Sequence, residues 1–78
     1  AQGDPSGTAA ASLNLGFALA QTGSFGDAQP LFEAANRTYE ASDDRLGRVR
    51  SLHALAQLDL ATDRLASASQ RIETAMHL

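Results

Sequence analysis

The amino-acid sequence predicts an all-α fold of two antiparallel helical hairpins, four helices in total, stacked as a short right-handed superhelix. The first observation is that the 78-residue chain matches itself when it is shifted by forty residues. The identical pairs are Ala1 and Ala41, Asp4 and Asp44, Gly7 and Gly47, Leu15 and Leu55, Thr22 and Thr62, Ala28 and Ala68, Glu33 and Glu73, and Ala35 and Ala75. A fixed period of roughly 20–50 residues is typical of stacked repeats. The second observation is helical periodicity, and the third is a lack of strand signals, since the chain has a single Val and a single Ile.

The first helix is predicted to begin at Asp4 and Pro5 and to end at the turn around Gly23. Asp is a favoured N-cap, and Pro suits the first helical position. Glycine can supply the left-handed residue that follows a helix. The apolar positions of this helix are Ala11, Leu15, Ala18 and Leu19, with Leu13, Phe17 and Ala20 on a neighbouring face.

The second helix is predicted to follow a cap at Ser24 and to fade near Ala41. Its apolar stripe has spacings of three and four residues, which is helical periodicity. The stripe consists of Phe25, Ala28, Phe32, Ala35 and Tyr39. Pro30 removes one backbone donor and is expected to bend this helix or to tighten its first turn.

The third helix is predicted to start after Ser42, Asp43 and Asp44, whose acidic groups favour its positive end, and to run to about Ala61. Its apolar face comprises Leu46, Val49, Leu52, Leu55, Ala56 and Leu58. After a turn at 62–64, the fourth helix repeats the stripe of the second with Leu65, Ala68, Ile72 and Ala75, beside Met76. Short turns require neighbouring helices to be antiparallel. Leu15, Leu55, Leu65 and Ile72 are expected to fill the spaces between helices together with Phe25 and Phe32.

Composition limits the chain to one small domain and excludes several classes of function. The formal net charge is -3, which argues weakly against a nucleic-acid partner. No apolar run is long enough for a membrane span, and no leader peptide is visible. The absence of Cys fits a cytoplasmic location. Because every basic residue is Arg and Ala is abundant, we interpret the source as a GC-rich bacterial genome.

These features resemble the tetratricopeptide repeat family, whose pattern is Leu-Gly, then Gly-x-aromatic, then Ala, aromatic and Ala. The first repeat, at about residues 4–41, carries Leu15-Gly16, Gly23-x-Phe25, Ala28, Phe32 and Ala35. The second, at about residues 43–78, carries the weaker series Leu55-Ala56, Asp63-x-Leu65, Ala68, Ile72 and Ala75. The forty-residue period is similar to the subclass found in kinesin light chains and in large bacterial regulators. An Ala-rich four-helix bundle is the alternative fold, which the self-match disfavours.

The resemblance implies a concave groove lined by the first helix of each pair. The positions that it assigns to the groove are Ala10, Leu13, Phe17, Gln21, Arg50, His53, Gln57 and Ala61. An apolar half and a basic half suit an extended or helical peptide with an acidic group near Arg50. An equally weighted alternative buries Leu13 and Phe17 against a neighbouring repeat or a second copy. Chaperone-associated members bind carboxylates through Lys and Asn at these positions, and Leu13 and Phe17 replace them here, so that activity is not expected.

No catalytic or metal-binding pattern is present, and no cofactor is expected. Ser51 and His53 are two residues apart on a helix and therefore do not face each other. Glu73 and His77 have the spacing of a surface ion pair but lack a third metal ligand. Surface ion pairs are likewise predicted for Asp44 with Arg48 and for Glu33 with Arg37.

Two repeats are fewer than the roughly three that such arrays normally need. The fourth helix is therefore expected to expose Leu65, Ile72 and Met76, and the first to expose Leu13, Phe17 or Ala11. Either the chain is a fragment of a longer array, or these faces are covered in a homo-oligomer. The predicted function is non-catalytic binding of a protein or peptide in a bacterial multidomain signalling or regulatory protein. The alternative is a structural self-association or spacer segment that uses Leu65, Ile72 and Met76.

Overall fold

The computed structural model describes residues 5–78, which form four helices in a regular series. These are α1 (Pro5–Gln21), α2 (Phe25–Ala41), α3 (Arg45–Ala61) and α4 (Leu65–Met76). Residues 5–78 contain no strand. Each helix packs on the next one in the chain, and α1 also touches α3. The predicted all-α fold of two helical hairpins is therefore confirmed. None of these helices is long and apolar enough to cross a membrane.

The three turns share one backbone conformation. Gly23, Asp43 and Asp63 have φ angles of 85°, 55° and 62°, respectively, which place all three residues in the left-handed region. The amide of the following residue then donates back to the preceding helix, as in the 2.9 Å bond from Ser24 to the Leu19 carbonyl. Because Asp tolerates this conformation better than most side chains, Asp63 can take the place of the turn glycine.

The predicted starts of α2, α3 and α4 are correct, but not every predicted cap forms. Asp44 accepts a hydrogen bond from the Gly47 amide at 3.0 Å and therefore caps α3 as expected. Ser24 occupies the N-cap position of α2, yet its side chain makes no capping hydrogen bond. The predicted cap at Asp4 lies outside the described residues. Pro30 lies inside α2, which continues without a break to Ala41.

The hydrophobic core lies along α2, which is packed between the first helices of the two hairpins. Two aromatic rings of α2 lie against glycines where neighbouring helices approach closely. The Phe32 ring packs on Gly16 of α1, and the Tyr39 ring packs on Gly47 of α3. The remaining buried members of the core are Ala9, Leu13, Ala28, Ala35, Ala54, Leu55 and Leu58.

Three of the large residues predicted to fill spaces between helices do not do so. Leu15, Leu65 and Ile72 are 54%, 60% and 45% exposed. The competing expectation, that α4 exposes Leu65, Ile72 and Met76, is confirmed. Leu15 lies on the face of α1 that points away from α2, and no described helix covers that face. Leu13 is instead buried, at 5% exposure. Of the three α1 residues named as candidates for exposure, Ala11 and Phe17 are exposed and Leu13 is not. Leu15 is a further large residue that α1 exposes.

Two buried polar contacts tie the helices together, and neither was predicted. The Ser51 hydroxyl, fully buried in α3, donates to Asn36 Oδ1 of α2 at 2.9 Å. Asp59 is 2% exposed, and its Oδ2 accepts from Arg71 Nε of α4 at 2.7 Å. A buried carboxylate needs such a partner because desolvation of an unpaired charge is costly.

The predicted surface ion pairs are not formed among the described residues. Asp44 caps a helix instead of pairing with Arg48, whose guanidinium lies 3.9 Å from Glu40. Glu33 accepts a hydrogen bond from Gln29 at 3.3 Å rather than pairing with Arg37. Neither contact is worth much, since surface pairs contribute about 0–1 kcal/mol.

Candidate functional site

A concavity of about 610 Å³ lies between α1 and α3. Both helices are the first of their hairpin, and they contact each other directly. The lining residues are Ala10, Leu13, Asn14 and Phe17 from α1, and Val49, Arg50 and His53 from α3. We call this surface the groove. Its volume falls in the range of roughly 300–1,000 Å³ that ligand sites occupy in proteins.

The floor of the groove is apolar and firmly supported. Leu13 is buried in the core cluster, so it supports the floor more than it projects from it. Phe17 is 36% exposed, and its ring centroid lies 5.2 Å from that of the buried Phe32, at an angle of 55°. This tilted arrangement is favourable for aromatic pairs and limits the freedom of the Phe17 ring. The groove therefore offers a positioned aromatic surface.

The α3 side of the groove is polar and carries a positive charge. Arg50 and His53 are both exposed, one turn apart on the same face of α3. No described carboxylate lies within ion-pair distance of Arg50, whereas Arg48 and Arg71 each have an acidic neighbour. The Arg50 guanidinium keeps its donors available for a carboxylate, which it can bind with two parallel hydrogen bonds.

The predicted site residues divide into three groups. Leu13, Phe17, Arg50 and His53 line the groove together, and their role in binding a partner stays a prediction. Gln57 lines a second, smaller depression of about 110 Å³, which Phe17 and Phe32 share. Gln21 is exposed at the end of α1 and lines neither. Gln57 thus extends the groove towards the end of α3, and Gln21 lies outside it.

Two lining residues were missed, Asn14 and Val49. Asn14 follows Leu13 and lies four residues after Ala10, so helical spacing could have identified it. Val49 was assigned to the apolar face of α3 because its side chain is aliphatic. It is only partly buried and lies at the boundary between that face and the groove. A sequence pattern defines the centre of a helix face better than its edges.

The geometry gives no indication of a metal centre in the part of the chain that is described. Residues 5–78 contain no group of three or more His, Asp or Glu side chains that could hold an ion. Glu73 and His77, the pair singled out by its spacing, are both exposed on α4. The groove brings an aromatic ring from α1 and a guanidinium from α3 into one concavity.

The fold is that of a helical-hairpin repeat protein, with a concavity between the first helices of its two hairpins. A sequence model of the tetratricopeptide repeat matches residues 7–77, and the chain belongs to that family. No curated protein and no solved structure shows significant similarity to it. Tetratricopeptide domains bind proteins or peptides in general and are typically non-catalytic.

Proposed function

We propose that this chain is a non-catalytic module that binds a peptide segment of a partner protein in the groove between α1 and α3. The observation that carries the proposal is that Phe17, on the α1 side, and Arg50, on the α3 side, line one concavity. A segment with an apolar side chain near an acidic one matches both walls. The mild acidity of the chain disfavours nucleic acid as the partner.

The setting we propose is a cytoplasmic bacterial multidomain signalling or regulatory protein. The forty-residue period and the Arg-only basic composition support it. The absence of Cys agrees with a reducing compartment.

We expect the double change Arg50→Ala and Gln57→Ala to abolish peptide binding without loss of stability. Both side chains are exposed, so the free energy of unfolding should stay within about 0.5 kcal/mol. A lost hydrogen bond to a charged group is worth about 1.5–3 kcal/mol, or roughly ten- to hundredfold in Kd. The measurement is fluorescence anisotropy with labelled peptides in which Phe or Leu lies three or four residues from Glu.

The matched control is the double change Arg37→Ala and Gln70→Ala, which removes the same residue types outside the groove. A second control replaces the Glu of the peptide by Gln. This change should weaken the binding of the peptide to the unaltered chain and should have no effect on its binding to the Arg50→Ala and Gln57→Ala variant. Amide chemical shifts should move at Phe17 and His53 on titration. Equal affinity of the groove variant and the unaltered chain would contradict the proposal.

The second candidate function is self-association through the exposed side of α4. It is favoured by the exposure of Leu65, Ile72 and Met76, at 60%, 45% and 80%. Monomeric proteins scatter single apolar residues over their surface, whereas here three large ones share one short helix. In that case the chain acts as a structural segment that joins copies, and the groove need not be occupied.

A further inference from the structure

The two ends of the helical stack expose apolar faces that correspond to buried faces inside it. At one end, α1 exposes Ala11, Leu15 and Ala18, which we call the leading face. At the other end, α4 exposes Leu65, Ile72 and Met76, which we call the trailing face. Helix α1 contains no charged residue in its 17 positions, which is unusual for a helix with one side open to solvent.

The joint between α2 and α3 shows what each face fits. A shift of forty residues converts Leu15 into Leu55, and it converts Phe32 into Ile72. Leu55 is 1% exposed because α2 covers it, and Phe32 is 1% exposed because α1 and α3 enclose it. The residues of the leading face therefore occupy the same repeat positions as the α3 residues that α2 covers. The residues of the trailing face occupy the same repeat positions as the α2 residues that cover α3.

Two differences between the internal joint and the end faces compensate each other. Inside the chain, the partly buried Asn36 and the buried Ser51 form a hydrogen-bonded pair across the joint. At the corresponding positions of the end faces stand Met76 and Ala11, which are both apolar. A joint between the end faces would thus contain no unpaired polar group at this point, since both partners changed together.

The second compensation lies on the groove side of the joint, and there an apolar pair is replaced by a polar pair. Phe17 and Ala54 line the same depression between α1 and α3. The corresponding positions of a joint between the end faces are Gln57 and Asn14, which are both polar and both exposed. An apolar pair has become a polar pair that can form a hydrogen bond. In both exchanges the two corresponding positions changed together, which favours the contact of one end face with the other.

We infer that a second copy of this chain docks head to tail, with its leading face on the trailing face of the first copy. The inference rests on the self-association candidate above and specifies its geometry. The arrangement repeats across two chains the part of the joint between α2 and α3 that the 12 residues of α4 can reproduce. The contact of Tyr39 with Gly47 has no counterpart in it, because α2 is longer, at 17 residues. Such a contact is heterologous, because it joins two different surfaces. Each copy binds one neighbour through its leading face and another through its trailing face, so the assembly can grow beyond a dimer.

The experiment uses Leu15→Glu to block the leading face and Ile72→Glu to block the trailing face. Both side chains are exposed, so each variant should keep the circular dichroism spectrum of the unaltered chain. Light scattering behind a sizing column at rising concentration should show masses above a dimer for the unaltered chain. Each variant alone should be a monomer, and their equimolar mixture should stop at a dimer with one intact joint.

Other outcomes separate the possible failures. A Leu15→Glu variant that still dimerises alone would indicate two-fold pairing through α4 and overturn the head-to-tail geometry, while self-association would stand. Dimerisation of the Ile72→Glu variant alone would indicate two-fold pairing through α1, and it would likewise overturn the head-to-tail geometry. An unaltered chain that stays monomeric at every concentration would overturn both self-association and this inference, and it would leave peptide binding in the groove untouched.

The absence of Cys allows a test of the register itself. Ala11→Cys and Met76→Cys, made in separate chains, occupy the positions that correspond to the hydrogen-bonded Ser51 and Asn36. Mild oxidation of the mixture should form a disulfide between the two variants in preference to either variant with itself. Preferential linkage of Ala11→Cys chains to each other would overturn the proposed register.

Discussion

Leu55→Ala is expected to destabilise the chain by about 2–5 kcal/mol, the usual cost of truncating a buried Leu. Leu55 is 1% exposed, and it packs in the core with Phe32 and Leu58. The core of a chain this small usually supplies only about 3–5 kcal/mol. We therefore expect a substantial unfolded fraction at room temperature, measured by urea denaturation followed by circular dichroism.

Leu15→Ala is the matched control, because Leu15 is the same residue type at the same position of the other repeat. Leu15 is 54% exposed. At low concentration, Leu15→Ala should therefore lower the free energy of unfolding by well under half of the loss expected for Leu55→Ala. At high concentration, a larger loss for Leu15→Ala would reflect the head-to-tail contact. Equal costs for both changes in the monomer would contradict the assignment of Leu15 to an uncovered face.

The helices could be predicted from the sequence because local signals define them. The turn residues recur every twenty positions, at Gly23, Asp43 and Asp63, and each lies between two helically spaced apolar stripes. Each of these signals acts within a few residues of the chain. The order of the elements follows from the turns, since a three-residue connection leaves neighbouring helices antiparallel.

Burial was harder to predict, because it depends on the neighbours of a helix and not only on its own pattern. Leu15 and Leu55 have the same type and register, yet only Leu55 is covered by another helix. A repeat pattern defines which side of each helix fits a neighbour. It does not say whether that neighbour is present in the chain.

The resemblance assigned Phe17, Arg50, His53 and Gln21 to one groove. The structure brings Phe17, Arg50 and His53 to one concavity, which Gln21 does not reach. Binding of a partner there stays a prediction. The buried contact between Asp59 and Arg71 could not be predicted either. The two residues are twelve positions apart on different helices, and no helical spacing relates them.

The second large effect concerns replacement of glycine by alanine. We expect this change to destabilise the chain at Gly47, which lies against the Tyr39 ring, and to stabilise it at Gly26, where there is free space. A Cβ atom at Gly47 would overlap the Tyr39 ring, which is 4% exposed and therefore enclosed by its neighbours. Overpacking of this kind costs about 1–3 kcal/mol. Gly47→Ala should destabilise the chain, although Ala is the better helix former by about 1 kcal/mol.

Gly26→Ala provides the control, since a Cβ atom at Gly26 meets nothing within 4 Å. This change in the first turn of α2 should stabilise the chain by up to about 1 kcal/mol. Thermal unfolding of both variants measures the difference in sign. Adding Tyr39→Ala to Gly47→Ala should then cost less than the sum of the two single changes, because the overlapping ring is gone. Additive costs would mean that the Tyr39 ring does not lie against Gly47, and the packing proposed for the joint between α2 and α3 would have to be revised.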